Sequence, residues 1–194
     1  MGTVLTKTAL SLTFVLAAWI QPCSLESYRA FILAGLLLCL GGDIFLALPR
    51  KKMFLLGLGS FLLGHACFFF GFFYVAEASR WTLIGVAVSL LLSIPVVIRL
   101  RPHLGSMKAP VLIYIAAIDV MIVGAWSVFG DAELSFAGRT MTLGGAFLLY
   151  FSDVFVARNR FIKKEFNNRL LGLPLYYIGQ FLLAFSLGLL EKAL

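Results

Sequence analysis

Phe31-Ile32-Leu33-Ala34-Gly35-Leu36-Leu37-Leu38-Cys39-Leu40-Gly41-Gly42-Asp43-Ile44-Phe45-Leu46-Ala47 is an apolar run broken by one carboxylate. With its flanks it covers residues 29–48, close to the ~20 that a helix needs to cross a hydrocarbon core. Asp43 is out of place there. A charged side chain at that depth costs several kcal/mol unless it faces a cavity or a partner, so it marks a functional site by default. A second acid stands in nearly the same local sequence: Gly42-Asp43-Ile44-Phe45-Leu46-Ala47 is matched by Ser152-Asp153-Val154-Phe155-Val156-Ala157. Two acids in matching contexts point to one shared site.

Outward from these segments, the whole chain reads the same way. Its 194 residues are 61% hydrophobic and 13% charged, with a mean hydropathy of +1.00. A soluble domain of this size cannot bury that much apolar surface, whereas a polytopic membrane protein need not. Runs of spanning length fall near 4–20, 29–48, 53–76, 81–98, 109–129, 138–157 and 170–190. The predicted class is therefore all-α: a polytopic membrane bundle of about seven transmembrane helices. Brief connections leave no room for a soluble module, so residues 1–194 read as a single transmembrane helical domain. No cleaved signal is expected, because Lys7 lies within the first apolar run and no small-residue cleavage site follows it. Cys23, Cys39 and Cys67 are too few and scattered for a disulfide framework.

Charge sets the expected topology. Lys7, Arg50, Lys51, Lys52, Arg99, Arg101, Lys108, Arg158, Arg160, Lys163, Lys164 and Arg169 fall on one side, twelve cations in all. Four fall on the other, Arg29, Arg80, Arg139 and Lys192, diluted by Glu26, Glu77, Asp131, Glu133 and Glu191. The positive-inside rule then places the N-terminus and the basic loops in the cytoplasm and the C-terminus outside. These loops account for the net charge of +7, so no nucleic-acid partner is called for.

In that orientation Asp43 lies seven residues before Arg50, about 10 Å along a helix, and Asp153 lies five before Arg158, about 7–8 Å. Both carboxylates thus reach a similar depth below the cytoplasmic interface. Lys7 and Tyr114 fall near that level, with His65 and Gln180 deeper. A weak internal symmetry runs through these positions: Lys7 against Tyr114, Asp43 against Asp153, Gly64-His65 against Gly179-Gln180. It suggests a parallel repeat of three helices, one linker and three helices, with a site between the halves. Glycines at 35, 41, 42, 57, 64, 144 and 145 permit close helix packing. Asp119 is a third intramembrane acid, open to pairing with His65 or a tyrosine.

At these residues the chain resembles the YhhN-type lysoplasmalogenase family. The resembling blocks are Leu40-Gly41-Gly42-Asp43, Phe61-Leu62-Leu63-Gly64-His65, Leu143-Gly144-Gly145-Ala146-Phe147 running into Phe151-Ser152-Asp153, and Tyr176-Tyr177 with Gln180. Lys7 is similar to the family's early lysine. Two departures stand out: members commonly carry eight spans, so this chain begins at their second, and Thr8 replaces the proline that usually follows the lysine.

The resemblance implies hydrolysis of the vinyl ether bond of a lysoplasmalogen, lysoplasmenyl ethanolamine or choline, to a fatty aldehyde and a glycerophospho-alcohol. It implies Asp43 and Asp153 as catalytic residues, with Lys7, His65, Tyr114, Ser152, Tyr177 and Gln180 binding substrate or supporting the site. It implies neither metal nor other cofactor. The expected partner is a lysophospholipid of the cytoplasmic leaflet, in a bacterial inner membrane, and oligomeric state is left open. A vinyl ether is hydrolysed by protonation at carbon, so one carboxyl must hold a proton and the other must be ionised; burial and like-charge repulsion separate such a pair. The logic parallels the carboxylate pair of glycosidases.

Three rivals are weaker. Only His65 and His103 exist, so a three-histidine zinc site is impossible. No G-x-S-x-G turn supports a serine hydrolase. A carrier for small solutes or lipids also suits paired three-helix halves and membrane acids, and is the alternative reading.

Overall fold

The chain folds into helices laid side by side, and their breaks follow the sequence's own stop signals. The computed structural model describes residues 2–48 and 50–190. Among the described residues there are seven α-helices: α1 (Gly2–Ile20), α2 (Glu26–Ala47), α3 (Lys51–Val75), α4 (Arg80–Leu100), α5 (Lys108–Gly130), α6 (Phe136–Ala157) and α7 (Phe166–Leu189). Helix α2 stops at Leu48, which is extended at φ −89° and ψ 129° because Pro49 follows and disfavours helical geometry before it. At the start of α4, Ser79 Oγ accepts from the Trp81 N–H at 3.2 Å while Thr82 Oγ1 accepts from the Ser79 N–H at 2.8 Å, a reciprocal cap. Ser135 caps α6 by accepting from the Gly138 N–H at 3.2 Å, and its hydroxyl donates to the Leu189 carbonyl that ends α7. A wide π-helical turn, Arg158–Ile162, carries α6 towards α7.

Helices α2 to α7 are long and apolar enough to cross a membrane. Helix α1, at 19 residues the shortest of the seven, matches the shortest predicted span, 4–20. Large apolar side chains such as Leu83, Leu91, Ile98 and Ile113 point outward, as lipid-facing surfaces require. Burial grades the bundle: 56% of the apolar stretch of α5 is buried against 22% of that of α4, so α5 is central and α4 peripheral.

The two halves have matching neighbours. Helix α2 packs on α3 as α6 packs on α7; α1 lies on α2 as α5 lies on α6; and α1 meets α7 as α5 meets α3. The glycines responsible repeat as well. A Cβ at Gly64 would stand 3.1 Å from the Gly35 carbonyl oxygen, and one at Gly179 would stand 3.1 Å from that of Gly145. Phe68 fills the space against Gly35 as Leu183 fills it against Gly145. Asp43 to Asp153 and Gly35 to Gly145 are each 110 positions apart, while Gly64 to Gly179 and Phe68 to Leu183 are each 115. Helix α4 links the halves and leans on α5. Lys192 and Glu191, used above in the charge count, lie outside the described residues.

Candidate active site

The repeated contacts bring the ends of α2 and α6 to the same place. Asp43 and Asp153, one from each, line a single cavity of about 520 Å³ at the bundle end where α1, α3, α5 and α7 begin. Its wall also carries Lys7, Tyr114, Ser152 and Tyr176.

Asp43 is 5% exposed, and its Oδ2 accepts two hydroxyl hydrogen bonds, from Ser11 at 2.6 Å and from Tyr176 at 2.7 Å. The Gly-Gly-Asp sequence makes this possible. A Cβ at Gly42 would fall 2.5 Å from the Phe61 ring, so glycine gives that ring its seat. Phe61 then meets Tyr176 edge to face, with centroids 5.9 Å apart and planes at 87°. Phe14 packs on the same tyrosine at 6.2 Å and 83°. The two rings hold the Tyr176 hydroxyl against the carboxylate. Ser11 is held too, because it lies one turn after Lys7 in α1 and its hydroxyl reaches back to the Lys7 carbonyl at 2.9 Å. Lys7 itself faces the cavity and acts electrostatically on Asp43.

Asp153 has a different shell. Its side chain is 20% exposed, and its Oδ2 accepts from Tyr114 OH at 2.9 Å, with His65 Nε2 at 3.3 Å. His65 Nε2 also lies 3.1 Å from Tyr114 OH, while Nδ1 lies 3.3 Å from Met121 Sδ. If Tyr114 gives its proton to Asp153, its oxygen can only accept from His65, so the network assigns a proton to Nε2. In both shells one carboxylate oxygen is held. Among the described residues, Oδ1 of each acid accepts no protein hydrogen bond. Two carboxyl groups, each anchored through one oxygen and facing one cavity, can exchange protons with a bound molecule.

The remaining expectations sort by contact. Ser152 donates to the Gly172 carbonyl at 3.0 Å and so ties α6 to α7 beside Asp153. Of the adjacent tyrosines it is Tyr176, not Tyr177, that meets Asp43; the Tyr177 ring packs against Phe14 at 6.5 Å and against Tyr176 at 5.1 Å. Both tyrosines are packed into the bundle; which of two neighbours on a helix reaches a given partner is a matter of about 100° of rotation, and the apolar sequence of α7 does not fix that angle. Gln180 is fully buried but does not line the cavity. Asp119 pairs with neither His65 nor a tyrosine: Ser93 of α4 donates to it at 2.5 Å and lies 3.3 Å from Tyr150 OH. Ser11 and Met121 escape sequence reading. Only the four-residue spacing from Lys7 marks Ser11. Among the described residues, no group of three or more histidine, cysteine, aspartate or glutamate side chains is placed to hold a metal ion.

Residues 2–187 match the YhhN family. The chain is 29% identical over 177 residues to proteins named lysoplasmalogenase from Mycobacterium bovis and Mycobacterium tuberculosis. Each alignment covers 88% of this chain and 63% of the relative, so the chain spans less than two thirds of their length. No solved structure matches.

Proposed function

The chain belongs to the YhhN family, and on that premise we propose that it is a membrane hydrolase cleaving the vinyl ether bond of a lysoplasmalogen. The observation that carries this reading is the pair Asp43 and Asp153 on one cavity, each held by a tyrosine through one oxygen.

One acid gives its proton to the vinyl carbon remote from the ether oxygen, and the former double-bond electrons form the new C–H bond. The oxocarbenium ion that results lies beside the other, ionised carboxylate, which stabilises it and takes a proton from the attacking water. The water oxygen bonds to the ether-bearing carbon. The hemiacetal then collapses: its hydroxyl gives its proton to the first carboxylate, and its C–O bond to glycerol breaks as the second carboxyl gives the glycerol oxygen the proton taken from water. A fatty aldehyde leaves with both groups restored. Tyr176, Ser11, Tyr114 and His65 bind, orient and keep the two carboxyl groups aimed at one bond, while Phe61 and Leu58 exclude bulk water from the wall. No step calls for a cofactor.

The charge distribution supports a cytoplasmic N-terminus, an external C-terminus and a substrate drawn from the cytoplasmic leaflet of a bacterial inner membrane. The brief connections between the helices support one transmembrane domain over residues 1–194. Purified protein in detergent, offered lysoplasmenyl ethanolamine, tests the reading through release of fatty aldehyde. The matched halves of the bundle favour a second reading, a carrier of small solutes or lipids. A carrier would move solute between vesicle compartments and release no aldehyde.

A further inference from the structure

The cavity that holds the two acids also has a cationic mouth. Besides Lys7, its cationic lining consists of Arg160 and Arg169, and Asn159 and Asn168 line it as well. Among the loop's other charges, Lys163, Arg158 and Glu165 engage one another, and Lys164 does not line the cavity. Lys163 Nζ lies 2.7 Å from Glu165 Oε1, and Arg158 Nη2 donates to Glu165 Oε2 at 3.0 Å. Lys163 first, then Arg158, hold the Glu165 carboxyl below its ordinary range, so this acid stays ionised and engaged. The loop backbone is braced as well: Asn159 Oδ1 accepts the Glu165 N–H at 3.2 Å, and Asn168 Nδ2 donates to the Lys163 carbonyl at 2.9 Å.

Arg160 and Arg169 remain. Neither forms an ion pair among the described residues. The π-helical turn carries Arg160 over the Phe54 ring, 4.4 Å from its centroid, and Arg160 lines the cavity there. Arg160 stands seven positions beyond Asp153, roughly 10 Å on at helical rise. Carboxylates inside, guanidinium groups at the rim and an apolar wall of Leu46, Val96 and Leu100 together suit an amphiphile whose phosphate adjoins its chain.

We propose that Arg160 and Arg169 form a phosphodiester-binding site for the headgroup of a lysophospholipid, and so select phosphate-bearing ethers over neutral ones. This deepens the hydrolase reading and rests on it for the substrate class, but binding alone can test it. The full chain in a neutral detergent is titrated with a saturated 1-alkyl lysophosphoethanolamine, which has no vinyl bond to cleave, and with 1-alkylglycerol of the same chain length. The expected result is at least about tenfold tighter binding of the phosphate-bearing ether, since bidentate charge-assisted pairs are the strong ones. Arg160→Gln with Arg169→Gln should erase that preference and leave alkylglycerol binding unchanged, while Lys164→Gln, the same charge change in the same loop, should keep it. Inorganic phosphate should fail to compete at millimolar concentration. Equal binding of the two ethers, a preference that survives in the double variant, or one lost equally in Lys164→Gln would overturn the site. Competition by inorganic phosphate as strong as by the lysolipid would overturn the lipid headgroup as its ligand. A wild-type chain that prefers the phosphate-bearing ether yet releases no aldehyde from lysoplasmalogen would sink the hydrolase reading and leave the phosphate site standing.

Discussion

The Tyr176 hydroxyl donates to Asp43 Oδ2 across 2.7 Å, linking the first half of α7 to the last turns of α2. Asp153 repeats the relationship with Tyr114 at 2.9 Å. In each case the tyrosine holds one carboxyl oxygen, and among the described residues Oδ1 accepts no protein hydrogen bond.

Asp43→Asn and Asp153→Asn should each lower hydrolysis by at least about 100-fold, since positioned acids and bases contribute roughly 10²–10⁴-fold. The amide keeps the shape, so thermal melting in detergent should move little. Activity above about a tenth of wild type in either variant would remove that residue from the proton chemistry.

Tyr176→Phe and Tyr177→Phe separate two neighbours. The first loses a hydrogen bond to a carboxyl group, worth about 1.5–3 kcal/mol when the acceptor is charged, and should lower kcat about tenfold or more. The second should keep near wild-type activity. Steady-state kinetics on the pair decide it, and equal losses would contradict the geometry.

Gly42→Ala should displace Phe61, because the new Cβ would lie 2.5 Å from its ring. Overpacking of this kind costs about 1–3 kcal/mol, and Tyr176 loses its edge-on neighbour, so both stability and kcat should fall. Combining it with Phe61→Leu should restore part of each. Gly59→Ala in α3 meets nothing within 4 Å and should be neutral or slightly stabilising. Parallel melting curves and rates check the contrast.

The pH–rate profile should be bell-shaped, falling on the acid side as the ionised carboxyl gains a proton and on the alkaline side as the acid loses its own. The two apparent midpoints belong to the coupled pair. Strong chelators should leave the rate unchanged. Activity that vanishes with chelator and returns with zinc would replace carboxylate catalysis by metal chemistry.

Much of this was legible in the chain. Asp43 and Asp153 announce themselves because an acid in an apolar run has few innocent explanations, and the basic loops place both at one end of the bundle. Asp43 against Asp153 and Gly64 against Gly179 suggest the repeat from the sequence, whereas the Gly35 and Gly145 pair, also 110 residues apart, emerges only from the packing. Rotation about each helix axis was not legible. Helices bathed in lipid are apolar on both faces, so the periodicity that tells inside from outside in a soluble helix fades. For that reason Tyr176 and Tyr177 were indistinguishable, Ser11 passed as an ordinary small residue, and the Ser93 partner of Asp119 came from a helix that carries no obvious polar signal.

The central claim, that the Asp43 and Asp153 pair protonates a vinyl ether at carbon through one of its members while the other is ionised, is tested most directly in deuterium oxide. Purified protein is given lysoplasmenyl ethanolamine, and the products are read by mass spectrometry. The expected product is a fatty aldehyde carrying one deuterium on the carbon next to the carbonyl, absent with Asp43→Asn and with Asp153→Asn. No aldehyde from the wild-type chain, aldehyde without that deuterium, or labelled aldehyde formed by either variant at the wild-type rate would contradict it.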